Sequence, residues 1–145
     1  MALLNYTTKI DADKTAAEIA KCLSSHGAQA IMTEYDEAEN YVTKLSFKIS
    51  LEGKSIAFKL PCDWKPVLEI LKNDPKVPPR LADQSQAIRV AWRIVKDWVE
   101  AQMALVETRM VTTAEVFLPY AVMRDGRTLA DHTKENPQFL LGKGE

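Results

Sequence analysis

The chain has 145 residues, 46% of them hydrophobic and 27% charged. That is ordinary for one soluble globular domain and leaves a core of normal size without a disulfide or metal staple. Lysine and arginine number 19 against 20 aspartates and glutamates, a net charge of -1, which disfavours a protein that grips long DNA or RNA by phosphate neutralisation but not one with a local anion pocket.

Residues 2–10, ALLNYTTKI, carry no charged n-region and no long apolar run, so a signal peptide is not expected. Leu4, Tyr6, Thr8 and Ile10 alternate as in a first strand. DADKTAAEIAKCLSSHG predicts a helix. Thr15 and Glu18 have capping-box spacing, Ala16, Ile19, Ala20 and Leu23 form its apolar stripe, and Gly27 stops it. AQAIMTEYD predicts a second strand. In YVTKLSFKIS, the clearest strand, Tyr41, Thr43, Leu45, Phe47 and Ile49 share one side and Val42, Lys44, Ser46 and Lys48 the other. A turn at Gly53 returns the chain as SIAFKL, with Ile56, Phe58 and Leu60 inward, so the two runs predict an antiparallel hairpin. The outer face then carries Lys44, Lys48 and Lys59.

PCDWKPVLEILKN predicts a helix capped by Asp63, with Pro66 tolerated near its first turn. DPKVPPR is a stiff connector. Residues 83–109 predict the longest helix, roughly 39 Å at 1.5 Å per residue. VTTAEVFLPY predicts a short helix with a Thr112–Glu115 box, stopped near Pro119, and AVMRDGRTL a turn at Asp125 and Gly126 between extended pieces. From His132 onward the chain reads as a polar arm or frayed end.

The fold class is α+β: a small antiparallel sheet in β-α-β-β-β order, helices on one face and a long C-terminal helix. The chain reads as a single domain, 1–145. Within it lie sheet and helices (1–74), a proline-rich connector (75–82), a long helix with a ligand or interface segment (83–130), and a tail (131–145). The long helix exceeds the sheet, so it is expected to project or to pack on a second chain, with a symmetric dimer burying its surplus apolar surface.

The chemistry of interest lies on that helix. Ile88, Ala91, Trp92, Val95, Trp98 and Val99 form its apolar stripe. Trp98 reads as packing, while Trp92 lies beside a second stripe and is a candidate pocket residue. That second stripe is Arg89, Arg93 and Lys96, at i, i+4 and i+7. Two like charges one turn apart repel by about 0.2–0.5 kcal/mol, so either an anion sits between them or the face is solvated, with Arg93 paired to Asp97 and Lys96 to Glu100. Arginine's planar fork suits phosphate. Arg80, Arg109, Arg124 and Arg127 also fall in the second half of the chain, and no arginine precedes residue 80. Phe117 and Tyr120 lie close in sequence to Arg124 and Arg127, and a ring beside arginines can stack a nucleobase; for Phe117 the other reading, a hydrophobic segment docking on the core, is the preferred one.

Catalytic signatures are missing. His26 and His132 have no nucleophile motif or HExxH-type partner, and there is no phosphate-binding loop and no G-x-G-x-x-G. The acidic clusters at Asp11 and Asp13 and at Asp36, Glu37 and Glu39 fit capping and solubility better than paired acid–base work. Cys22 and Cys62 show no metal-ligand spacing and fit a reduced compartment, and no stretch approaches 18 apolar residues. We expect no enzyme, no cofactor, no metal and no membrane span, in a cytoplasmic protein.

The run RVAWRIVKDWVEAQMALVETRMVTTAEVFLPY, with DGRTL, resembles the C-terminal half of small bacteriophage proteins of the Thoeris anti-defence sponge family. Members of that family sequester cyclic ADP-ribose isomers made by bacterial TIR-domain defence proteins. With the N-terminal half, the resemblance covers about two thirds of the chain. It implies a non-enzymatic α+β protein, dimeric or hexameric, in the host cytoplasm. Its recessed pocket near the dimer interface would place arginines on a pyrophosphate and an aromatic on adenine, and some members also take up cyclic oligonucleotides at a separate site. On residue type, Arg89, Arg93, Arg109 and Arg124 are the candidates for phosphate contacts and Phe117 for base stacking. The alternatives are a phage accessory protein binding single-stranded nucleic acid or a replication partner along Lys44, Lys48 and Lys59, and an adaptor without a small ligand.

Overall fold

The computed structural model describes residues 2–140 and is α+β, with one antiparallel sheet and helices of very unequal length. Helix α1 (Ala12–Ser25) leads into strands β1 (Ala30–Tyr35), β2 (Val42–Leu51) and β3 (Lys54–Lys59), ordered β1-β2-β3. Helix α2 (Trp64–Asn73), a 3-10 turn at Pro79–Leu81 and the long α3 (Gln84–Glu107) follow. The chain then adds α4 (Thr113–Phe117), a second 3-10 turn at Leu118–Tyr120, α5 (Leu129–Glu135) and a last 3-10 turn at Pro137–Leu140.

The expected strand over residues 2–10 does not form. Residues 4–7 turn instead, with Asn5 at φ 65, and the segment lies across the start of α3. Its carbonyls are satisfied by a side chain rather than by a strand: Gln86 Nε2 donates to Tyr6 O at 2.8 Å and Thr8 O at 2.9 Å. Leu3 and Tyr6 pack on a small core of Leu71, Val77, Ala87 and Val90, so their burial comes from helices and not from a sheet.

Nor do Thr15 and Glu18 cap α1. The N-cap is Asp11, and Thr15 Oγ1 donates back to Asp11 O at 3.3 Å from inside the helix. Gly27, at φ 101, does end it, taking a left-handed turn that glycine adopts without steric cost.

The hairpin forms as expected. Leu51 pairs with Lys54 across a two-residue turn in which Glu52 (φ 51) and Gly53 (φ 79) are both left-handed, as a twisted hairpin requires. The inward set of β2 differs at its start. Glu34 pairs with Lys44 and Tyr35 with Val42, so one extra residue of β2 sits in a bulge. The bulge breaks the alternation and turns Val42 into the core at 1% exposure, joining Leu45, Phe47 and Ile49. The far edge of β3 is covered, because Val122 N donates to Ala57 O at 2.8 Å.

α3 does not project from the sheet. One face, Ile88, Trp92, Val95, Val99 and Met103, packs in the main core with α1, β2, β3 and Phe117. Its other apolar face, Ala87, Val90 and Ile94, packs with α2. A helix of 24 residues, about 36 Å long, is thus accommodated inside one chain because elements flank it on both sides. The expected polar tail is partly helical. Thr128 and Asp131 form a reciprocal capping box that starts α5. The stretch of that tail from 141 to 145 lies outside the described residues.

Candidate functional site

α1 and α3 run parallel, in contact from Thr15 against Arg93 to His26 against Glu107. This decides the fate of the arginine stripe. Arg93 Nη1 donates to Glu18 Oε2 at 2.7 Å and reaches Thr15 Oγ1 at 3.4 Å. The expected partner, Asp97, instead accepts from Asn5 Nδ2 at 2.8 Å, because the irregular N-terminal segment lies where the sequence places nothing. Lys96 does pair with Glu100 as the i+4 spacing predicts, at 2.5 Å, with Glu18 a second carboxylate at 3.9 Å.

Arg89 lies beyond the start of α1 and differs. Its Nε and Nη2 both donate to Gln86 Oε1, at 3.0 and 2.7 Å. Gln86 is 1% exposed, its amide nitrogen already committed to Tyr6 O and Thr8 O. The amide orientation is therefore fixed from both ends, and the guanidinium plane with it. Among the described residues no carboxylate forms an ion pair with Arg89.

Two clefts share Arg89 as a wall. The larger, about 540 Å³, lies between the start of α1, the β1–β2 connection and the start of α3, and presents Asp11, Asp13, Glu39, Tyr41 and Gln84. Gln84 Nε2 donates there to Glu39 Oε2 at 3.0 Å. The smaller, about 400 Å³, is lined by Thr7, Thr8, Lys9, Arg80, Gln86 and Arg89, with Leu81 between them. Three cations and two hydroxyl side chains face it, and no carboxylate does. Among the described residues neither Lys9 nor Arg80 takes part in an ion pair.

The other candidates lie elsewhere. Trp92 is 2% exposed, and its Nε1 donates to Val42 O at 3.1 Å, the carbonyl beside the bulge. Phe117 is 0% exposed and packed edge-on against Phe47 (5.3 Å), Phe58 (6.4 Å) and Trp98 (5.3 Å). Arg109 follows α3, 20 residues and about 30 Å along the helix from Arg89. Arg124 is exposed in the turn before Gly126. Arg127 is bound locally, its Nη2 2.6 Å from Glu135 Oε1. The six candidates thus do not converge within one chain.

Sequence reading missed Lys9 and Gln86, and noted Arg80 only in passing. Lys9 falls in a stretch whose alternation predicts a strand that does not form. Gln86 sits in the polar first turn of α3, after Gln84 and Ser85, and helical periodicity carries no signal for a buried amide. The usable signal was Arg80 beside Pro78 and Pro79, a rigid approach to the capped start of α3.

Neither thiol is poised for nucleophilic work. Burial pushes Cys62 up to about 12, with Asp63 adding to the rise, and burial also raises Cys22. Among the described residues no group of three or more His, Cys, Asp or Glu side chains is placed to hold a metal ion, and no helix is long and apolar enough to cross a membrane.

Comparison with models of protein families, with curated proteins and with solved structures finds no match. Fold and site together define a class by their own geometry: an α+β protein whose side-chain-fixed arginine, with no ion pair among the described residues, divides a cleft bearing three carboxylates from a cationic one.

Proposed function

We propose that the chain is a non-catalytic binding protein that sequesters a cyclic nucleotide signal of the cyclic ADP-ribose type and so blocks Thoeris or related signalling, as the sponge resemblance implies. The observation that carries the reading is Arg89, an arginine without an ion-pair partner among the described residues, held by Gln86 in the wall between clefts of about 540 and 400 Å³. Such clefts are of the size that takes small ligands. Capture at nanomolar affinity requires about 12 kcal/mol. Charge-assisted hydrogen bonds of about 1.5–3 kcal/mol each, added to burial in a pre-formed site, reach that range for a ligand bearing a pyrophosphate and a purine.

Homodimeric or hexameric assembly belongs to the same reading. It is supported by Met110, Leu118 and Met123, which leave apolar surface on the segment after α3 at 69%, 52% and 42% exposure. The host bacterial cytoplasm is the compartment where such a signal is met.

The test is capture and release. The purified protein is incubated with a cyclic ADP-ribose isomer, filtered free of unbound ligand and heat-denatured. Mass spectrometry is expected to find the isomer released intact. If nothing is retained, or if only a cleaved product emerges, the reading fails. A gel shift with single-stranded DNA at low salt, sensitive to Lys44 and Lys48, would transfer the case to nucleic-acid binding.

A further inference from the structure

We infer that the smaller cleft is a phosphate-binding site formed by Lys9, Arg80 and Arg89, and that Gln86 is its positioning residue. The inference deepens the nucleotide reading by naming the end of the ligand that is held and the residues that hold it.

Three observations carry it. The cleft gathers three cations from three separate parts of the chain: the N-terminal segment, the 3-10 turn Pro79–Leu81, and the second turn of α3. Folding alone does not require this convergence, because like charges repel and, among the described residues, none of the three forms an ion pair with a carboxylate. The neighbouring stripe shows the contrast, since Arg93 and Lys96 share Glu18.

Second, the cleft is held in shape by one buried side chain. Gln86 accepts from Arg89 with its oxygen, and its nitrogen donates to the carbonyls of Tyr6 and Thr8. It thereby fixes the guanidinium on one wall and the segment bearing Thr7, Thr8 and Lys9 on the other. Arg89 uses Nε and Nη2 for this contact, and among the described residues no hydrogen bond occupies Nη1. Third, the lining chemistry suits phosphate oxygens: guanidinium and ammonium donors, and threonine hydroxyls.

The ligand class is a phosphate or pyrophosphate group, whether free or carried by a nucleotide. The cleft is about 400 Å³ and the chain's net charge is -1, so a compact anion fits better than a polymer track.

The test is titration calorimetry of the full chain with inorganic pyrophosphate, with ADP-ribose and with adenosine. Pyrophosphate and ADP-ribose are expected to bind and adenosine to bind far more weakly. Lys9 and Arg80 are exposed and form no ion pair among the described residues, so Lys9→Ala and Arg80→Ala examine the site without disturbing the fold. Each is expected to weaken pyrophosphate about ten-fold, the effect of losing one charge-assisted contact. Gln86→Met is expected to weaken it comparably although it removes no cation, while Arg124→Ala changes nothing. Unchanged pyrophosphate affinity in Lys9→Ala and Arg80→Ala overturns the site. If those variants still retain a cyclic ADP-ribose isomer as the parent does, the site fails while the nucleotide reading stands. If pyrophosphate binds through these residues but no nucleotide is retained, the site stands and the nucleotide reading fails. An affinity for single-stranded oligonucleotides that exceeds that for pyrophosphate and grows with their length overturns the compact-anion assignment.

Discussion

Arg93 and Glu18 face each other across α1 and α3 at 2.7 Å, the guanidinium 16% and the carboxylate 34% exposed. The pair explains why the Arg89–Arg93 spacing is tolerated. Repulsion between like charges one turn apart amounts to about 0.2–0.5 kcal/mol, and the contact with Glu18 offsets it at one of the two positions. Arg93 therefore belongs to the architecture. We predict that Glu18→Gln and Arg93→Met each destabilise the chain by about 1–2 kcal/mol, a charge-assisted contact reduced for partial solvent screening. A double-mutant cycle by urea unfolding is expected to give a coupling of about 0.5–1.5 kcal/mol between them, with ligand retention unchanged. Loss of ligand without loss of stability in Arg93→Met would return Arg93 to the site.

Gln86 makes the opposite case, a neutral residue on which a charged one depends. In Gln86→Glu the new carboxylate would pair with Arg89, but its second oxygen would face the carbonyls of Tyr6 and Thr8, where the amide nitrogen now donates. We predict a loss of about 1–3 kcal/mol at pH 7, the cost of acceptors left without a donor in a buried place. Burial and the facing carbonyls raise the carboxyl's pKa, and in its protonated form it donates to one of them. The loss should therefore shrink as pH falls toward 5, measured by thermal melts across that range. A pH-independent loss would show that Gln86 contributes only by filling space.

At the other end of the same helix pair, His26 donates from both ring nitrogens: Nδ1 to Cys22 O at 2.7 Å and Nε2 to Glu107 Oε1 at 2.6 Å. Both contacts favour the imidazolium, and its pKa stands above the ordinary 6.5, the backbone hydrogen bond being the larger cause and Glu107 the next. A folded-state pKa above the unfolded one means that protonation stabilises the fold. That contribution is full below pH 6.5 and is lost as pH rises through the raised value. We predict that the stability difference between the parent chain and His26→Gln is larger at pH 5.5 than at pH 8.5. Chemical denaturation at the two values checks this, and an equal difference at both would show that the imidazole is not charged in the fold.

How much of this the sequence disclosed depended on whether the signal was periodic. β2, β3, α2, α3 and the Thr112–Glu115 box were legible because alternation, helical spacing and capping residues are local. The first strand fails because ALLNYTTKI has strand periodicity, but its turn at residues 4–7 carries it onto the core between α2 and α3, away from the sheet. The far edge of β3 is taken by Val122, and the segment's carbonyls find Gln86 instead. Phe117 shows the same limit within the site. Proximity to arginines in sequence allowed stacking on a base beside the preferred docking on the core, and it is burial among Phe47, Phe58 and Trp98, a tertiary outcome, that places the ring in the core. Arg89 was legible as a cation on a stripe. Its separation from Arg93 was not, since that follows from where α1 begins.

Arg109 supplies a last test of the separation between structure and site. It follows the C-cap Thr108 in a left-handed conformation, φ 66, and its N–H donates to Val106 O at 2.9 Å. Glycine is the residue that normally ends a helix this way. A side chain with a Cβ pays roughly 1–2 kcal/mol for the left-handed turn. Glycine would remove that strain, but its larger unfolded-state entropy and the loss of a cation at the helix C-terminus would return part of the gain. We predict that Arg109→Gly stabilises the chain by about 0.5 kcal/mol net, a rise in Tm of about 1–3 °C, with ligand capture unaltered. Arg109→Ala, which keeps the strained φ and loses the charge, is expected to be neutral or slightly destabilising. Because Arg109 lies about 30 Å from Arg89 along α3, it can serve the same ligand only from a second copy of the chain. A stabilised Arg109→Gly protein that no longer captures the ligand would therefore locate the site at an interface between two copies.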